Sequence, residues 1–227
     1  MKQKLIAFVV AFGVLLVGLF LWRYPWAQKG SGTGIDWSNE ASVFDVSAPA
    51  DLDPINAETF GEKVTAAKEL YRKEPDDSWT YVVVADVYDY VQDYDKTILA
   101  LQHALELNPT EETAILNLAV IYEKYAPDYV LAEQYYRTFL ELNDSRADAY
   151  TRFARFLYQK KKDFSAAESI LLAGREKTGD SSDILVEMIA MYKKQENEEK
   201  RLAVMKELLE LFPDNEVFEF QYGDLVR

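Results

Sequence analysis

Apolar and polar positions divide this chain into two unequal parts. Leu5 to Trp22 is an uninterrupted apolar run without a charged side chain, whereas the later sequence alternates apolar and polar positions with helical spacing. Tyr81, Val84, Ala85 and Tyr88 lie at i, i+3, i+4 and i+7 and so share one helix face. A polar break from Val91 to Lys96 follows. Leu101, Ala104 and Leu105 then make a second stripe, closed by Leu107-Asn108-Pro109. This pattern predicts two antiparallel amphipathic helices joined by a short turn.

The pattern repeats. Pro75, Pro109, Asp144, Gly179 and Pro213 close successive units at intervals of 34, 35, 35 and 34 residues. Tyr88, Tyr122, Leu157 and Tyr192 keep the same period, as do Ala85, Ala119, Ala154 and Ile189 three positions earlier. Tyr81, Ile115, Tyr150 and Leu185 precede the second column by seven. A lone helix pair buries too little surface to be stable, so such units must stack.

These columns resemble the tetratricopeptide repeat (TPR), carried most clearly by Tyr81, Val84, Ala85, Tyr88, Tyr94, Leu101, Ala104 and Pro109. The resemblance implies an all-α, right-handed superhelical solenoid of antiparallel helix pairs. Four repeats are expected at 78–111, 112–146, 147–181 and 182–215, preceded by a half repeat at 57–77 and followed by a C-terminal cap at 216–227. The second and third units need a one-residue insertion near Ala126-Pro127-Asp128 and Lys160-Lys161-Lys162. The fourth departs most, with Ile189 and Arg201 in columns where small residues such as Ala132 and Ala167 stand.

At 1.5 Å rise per residue, residues 5–22 make a helix of roughly 27 Å, enough for a bilayer core. Lys2 and Lys4 precede it, and the interfacial aromatics Trp22, Tyr24 and Trp26 follow. A single-pass transmembrane helix is therefore expected, with residues 1–4 as a cytoplasmic tip and the repeat domain extracytoplasmic. A cleaved signal peptide is the alternative, but the run ends on bulky residues where a small-x-small site is needed. Residues 23–56 read as a flexible linker, marked by Gly30-Ser31-Gly32-Thr33-Gly34, Pro49 and Pro54. Within it, Trp37, Val43, Phe44 and Val46 are too apolar for a pure spacer.

Charge narrows the function. All 39 acidic residues lie from Asp36 onward, and only four basic residues lie before it, so the remainder carries a net charge of −18. Such a surface repels nucleic acid and anionic lipid headgroups. Cysteine is absent, which excludes thiolate metal sites, and with His103 the only histidine a zinc site would need several carboxylates that no motif suggests. No cofactor or metal is expected, and the chain reads as a non-enzyme. Asp51 and Asp53 lack the spacing of a calcium loop, and Asn143-Asp144-Ser145 matches a glycosylation sequon.

The TPR resemblance implies instead a concave surface lined by the first helix of each unit, where a partner peptide or helix binds. The residues expected there are Trp79, Val82, Asp86, Asp89, Tyr90, Leu116, Val120, Lys124, Thr151, Arg155, Tyr158 and Lys194. Family members that grip a chaperone's acidic tail use a Lys/Asn/Arg clamp, and Val82, Asp86, Leu116 and Val120 do not supply it. The expected function is a membrane-tethered protein–protein adaptor of a bacterial envelope, in envelope assembly, secretion or pilus biogenesis. An extracytoplasmic holdase for unfolded segments is the alternative.

Overall fold

The computed structural model of the chain describes residues 34–226. The expected transmembrane helix at 5–22, with its tip and the first part of the linker, lies outside them. Among the described residues no helix is long and apolar enough to cross a membrane, and there is no strand.

Four helix pairs follow one another. They are α3 (Ser78–Tyr90) with α4 (Tyr94–Leu107), α5 (Glu112–Lys124) with α6 (Tyr129–Leu142), α7 (Ala147–Phe156) with α8 (Phe164–Thr178), and α9 (Ser182–Gln195) with α10 (Glu198–Leu211). A short turn α1 (Glu40–Val43) and a long helix α2 (Pro54–Lys73) come before them, and α11 (Glu216–Val226) comes after. The chain divides into two compact units, one ending at Ile121 and the other beginning at Tyr122.

A polar column that the apolar pattern did not reveal starts every second helix. Asp93, Asp128, Asp163 and Asn197 are the N-caps of α4, α6, α8 and α10, each accepting a hydrogen bond from a backbone N–H in the first turn. That satisfies donors the helix cannot pair internally. Each cap residue's own N–H returns to the carbonyl of the preceding aromatic or leucine column. Asp93 reaches Tyr88 and Asn197 reaches Tyr192, both at 3.0 Å. Asp128 reaches Tyr122 at 2.9 Å and Asp163 reaches Leu157 at 3.0 Å, each across one residue more. The insertions expected in the second and third units are absorbed inside this closure. In the third, α7 widens into a π-helical turn, Leu157–Lys161, before Lys162 adopts left-handed φ at 60°.

In the first unit the core is Tyr81, Val84, Ala85, Val87 and Tyr88 of α3 against Ala100, Leu101, Ala104 and Leu105 of α4, with Ala67 and Tyr71 of α2 on the other side. Helix α2 begins at Pro54, earlier than the half repeat was expected to start, because Asp53 caps the N–H groups of Ile55 and Asn56 and proline suits the first helical position. Asp53 thus serves as the N-cap of α2.

The linker is not uniformly flexible. Residues 37–45 fold back over α2, α3 and α4 as a strap. Val43 and Phe44 are buried, Trp37 stacks on His103 at 4.8 Å, and Arg72 grips Glu40 through two hydrogen bonds of 2.7 and 2.6 Å. Burying each large apolar side chain contributes about 1.5–3 kcal/mol, enough to hold a short segment that the glycines and prolines beside it suggested was loose. The strap also explains His103, whose ring packs on both Trp37 and Tyr81, themselves in edge contact, while Nδ1 meets Glu106 at 2.8 Å.

In the second unit, Tyr136 packs on Phe153 and Phe156 at 6.1 and 5.2 Å, and Tyr122 stacks on Tyr135 at 5.9 Å. The Tyr150 hydroxyl donates to the Asp144 carbonyl at 2.8 Å, as Tyr81 in the first unit donates to Pro75 at the same distance. Helix against helix, Gly174 of α8 lies so close to α7 and α9 that an added Cβ would stand 2.8 Å from Tyr150 Cγ and 2.9 Å from Ile184 Cδ1. Arg201, in its unusual column, stays half-buried and pairs with Glu198 at 2.5 Å. The sequon asparagine, Asn143, is buried and its amide donates to the Phe139 carbonyl, a structural end to α6.

Candidate protein-binding faces

Helix α3 is apolar almost all round, so few of its side chains reach water. Asp77 caps it through the Trp79 N–H, which sets Trp79 at its outer start with 48% of its surface exposed. Along the same edge come Asp86, Asp89 and Tyr90. Two of these are engaged by α2. Lys63 bonds the Asp86 carboxylate and places its ammonium 5.6 Å from the centre of the Tyr90 ring. The Tyr90 hydroxyl bonds Asn56 Oδ1 at 3.0 Å, and its ring lies against Phe60.

Asp89 differs from both. It makes no side-chain hydrogen bond or ion pair with any described residue. Partial burial raises its pKa above the usual carboxylate range, the Asp86 charge adds to this, and Lys63 opposes it. Asp89 can accept a donor from outside near the C-terminal end of α3, and an apolar group can cover Trp79 ten residues earlier, at the start of the helix. In the same unit Leu116 and Val120 of α5 are half-buried.

Val82 was expected on this face, but it is only 5% exposed. The second unit corrects two more expectations. Thr151 is buried, its hydroxyl turned back to the Asp148 carbonyl at 3.2 Å. Tyr158 is 3% exposed and donates to Glu187 Oε1 at 2.9 Å. The π-helical turn explains this, because the wider turn rotates residues 157–161 relative to straight α-helical continuation.

Arg155 belongs to the same cluster. Its guanidinium clasps Glu187, with Nε 3.1 Å from Oε1, and that hydrogen bond raises the Arg155 pKa further. The Glu187 side chain is 6% exposed against 52% for Arg155, so the carboxylate is internal and the guanidinium covers it. Spacing had placed Arg155 and Tyr158 on a helix face without identifying Glu187, one repeat later, as their common partner. Lys124 and Lys194 are exposed in this unit, as expected. Among the described residues no group of three or more His, Asp or Glu side chains is arranged to hold a metal ion.

Known structures share this architecture. A tetratricopeptide repeat protein from Parabacteroides merdae superposes with a TM-score of 0.54 at 16% identity, covering 74% of this chain and 72% of its own. A thermophilic TPR protein from Thermus thermophilus does so with a TM-score of 0.50 at 14% identity, covering 75% of this chain and 94% of its own. The fold is accordingly an all-α helical repeat of TPR type. No protein-family model matches the chain, and neither does any curated protein sequence.

Proposed function

We propose that this chain is a non-catalytic protein–protein adaptor, tethered to a bacterial cell membrane through residues 5–22 with its repeat domain extracytoplasmic. The observation that carries the binding reading is the outer edge of α3, with half-exposed Trp79 at its start and, ten residues on, Asp89, a carboxylate that no described side chain satisfies. Tryptophan is among the side chains most enriched at interface hot spots. The apolar run with lysines on one side and aromatics on the other supports the tether and its orientation. Tethering would raise the local concentration of the module toward partners at the same membrane, as envelope assembly, secretion or pilus biogenesis requires.

The test is photocrosslinking of the full-length protein in its native membrane, with a photoreactive residue at Trp79, Leu116 or Lys194. One dominant adduct at Trp79, lost in Asp89→Lys, establishes a dedicated partner on this face. A smear of weak adducts to many proteins supports the holdase reading instead. Adducts that ignore the Asp89 substitution remove this edge from consideration.

A further inference from the structure

Helix α11 has two unlike sides. On one, Phe218 meets Phe212 edge-on at 6.0 Å and Tyr222 is buried to 7% exposure, so the helix is seated on the end of α10. On the other, Val217 is 66% exposed and Phe220, one turn later, is 92% exposed. No other large apolar side chain among the described residues is as open as Phe220. Beside it lies an open depression of ≈ 730 Å³ lined by Pro213, Asp214, Glu216, Glu219, Phe220 and Asp224. Between Glu207 and Val226 the chain holds no Lys, Arg or His.

We infer that this face docks an amphipathic segment of a partner protein, one that sets aliphatic or aromatic anchors on Val217 and Phe220 and flanks them with Lys or Arg. Charge complementarity selects this occupant. A second copy of the chain would bring the same carboxylates against one another, and an anionic membrane surface would be repelled in the same way. A cationic segment gains from both the apolar pair and its acidic border. The 11 residues of α11 give a surface roughly 16 Å long, the length of about three turns of a partner helix. Helix-on-helix recognition of this kind reads anchors three and four residues apart, the spacing of Val217 and Phe220.

The test uses full-length protein in phosphatidylcholine nanodiscs and two fluorescent 15-residue amphipathic peptides. They share Leu and Phe anchors at helical spacing, and one has Lys and Arg where the other has Glu. Fluorescence anisotropy should show binding of the cationic peptide only, with empty nanodiscs as the control. Because Val217 and Phe220 are outside the core, Val217→Ser with Phe220→Ser should leave the circular dichroism and melting unchanged. The same pair should weaken binding by about tenfold or more, the loss that removing an interface anchor produces. Asp214→Asn with Glu216→Gln should flatten the dependence on salt. Equal binding of both peptides, or affinity that survives the serine pair, overturns the inference. So does a dimer by light scattering that the serine pair disperses, because the occupant would then be a second copy.

Discussion

The Tyr88 hydroxyl donates a 2.6 Å hydrogen bond to the main-chain carbonyl of Val43, 45 positions earlier, and so fastens the strap to the first repeat. The phenol is buried, which pushes its pKa up to about 12, with the Asp93 and Asp45 charges adding to the shift. Tyr88→Phe keeps the ring and removes the donor, leaving a buried carbonyl unpaired at a cost of about 1–2 kcal/mol. Hydrogen exchange should speed up at the amides of Asn39 to Asp45 and stay unchanged in α9. Unaltered protection of the strap would show that the packing of Val43 and Phe44 holds it without this bond.

Gly174→Ala should be among the most damaging single-methyl changes in the second unit. The new Cβ would meet Tyr150 Cγ and Ile184 Cδ1 inside 3 Å; Cγ is at the root of the tyrosine side chain, and the Ile184 side chain is fully buried. Overpacking of this kind costs about 1–3 kcal/mol. The denaturation midpoint should fall while the circular dichroism of the native protein stays helical. A neutral result would mean that α8 can shift away from α7 at little cost.

Arg155 and Glu187 should be unequal under substitution. Arg155→Met strands a carboxylate whose side chain is 6% exposed, leaving it only the Tyr158 hydroxyl, at a cost of about 2–3 kcal/mol. Arg155→Met combined with Glu187→Leu removes the stranded charge and should recover most of that loss. The double-mutant cycle, read from urea denaturation, measures this asymmetry. Additive losses would show that Glu187 does not depend on the guanidinium.

Acid should weaken the contact between α8 and α10. A hydrogen bond from Lys200 is the chief cause of the lowered Glu168 pKa, burial opposes it, and the Tyr192 hydroxyl assists it. A carboxylate with a depressed folded pKa stabilises the fold above its unfolded value, near 4.5, and loses that contribution as pH falls through the folded value. Lys200→Met should therefore destabilise the protein at pH 7 by about 1 kcal/mol or less, since the lysine's side chain is half exposed. The difference from the unchanged protein should shrink as pH is lowered from 7 through 4 and below. A gap that persists at low pH would assign the effect to the lysine's apolar stem.

The helical pattern was legible because inter-helix packing demands apolar or small residues at fixed intervals. Ala85, Ala119 and Ala154 are at most 2% exposed. The capping column of Asp93, Asp128, Asp163 and Asn197 was equally regular, but polar residues at helix starts do not show in an apolar pattern. The exposed face was harder to read. Periodicity gives the direction of a side chain from a straight helix, and the π-helical turn at Leu157–Lys161 breaks that assumption for Tyr158. Val82 is buried although it lies outside the main stripe, because α3 has neighbours on more than one side. Glu187 and the strap were hidden for a different reason. Their partners lie 29 to 51 residues away in sequence, and no local spacing encodes such pairings.

The cap closures leave the repeat tolerant of changes in length. Whether five or six positions separate the column carbonyl from the cap N–H, the Asp or Asn at the end of the connection starts the second helix in the same way. An extra residue is taken up where it occurs and does not rotate every side chain that follows. Each turn thus restores the phase of the helix after it, so single-residue gains and losses can accumulate in these connections while the packed faces stay aligned.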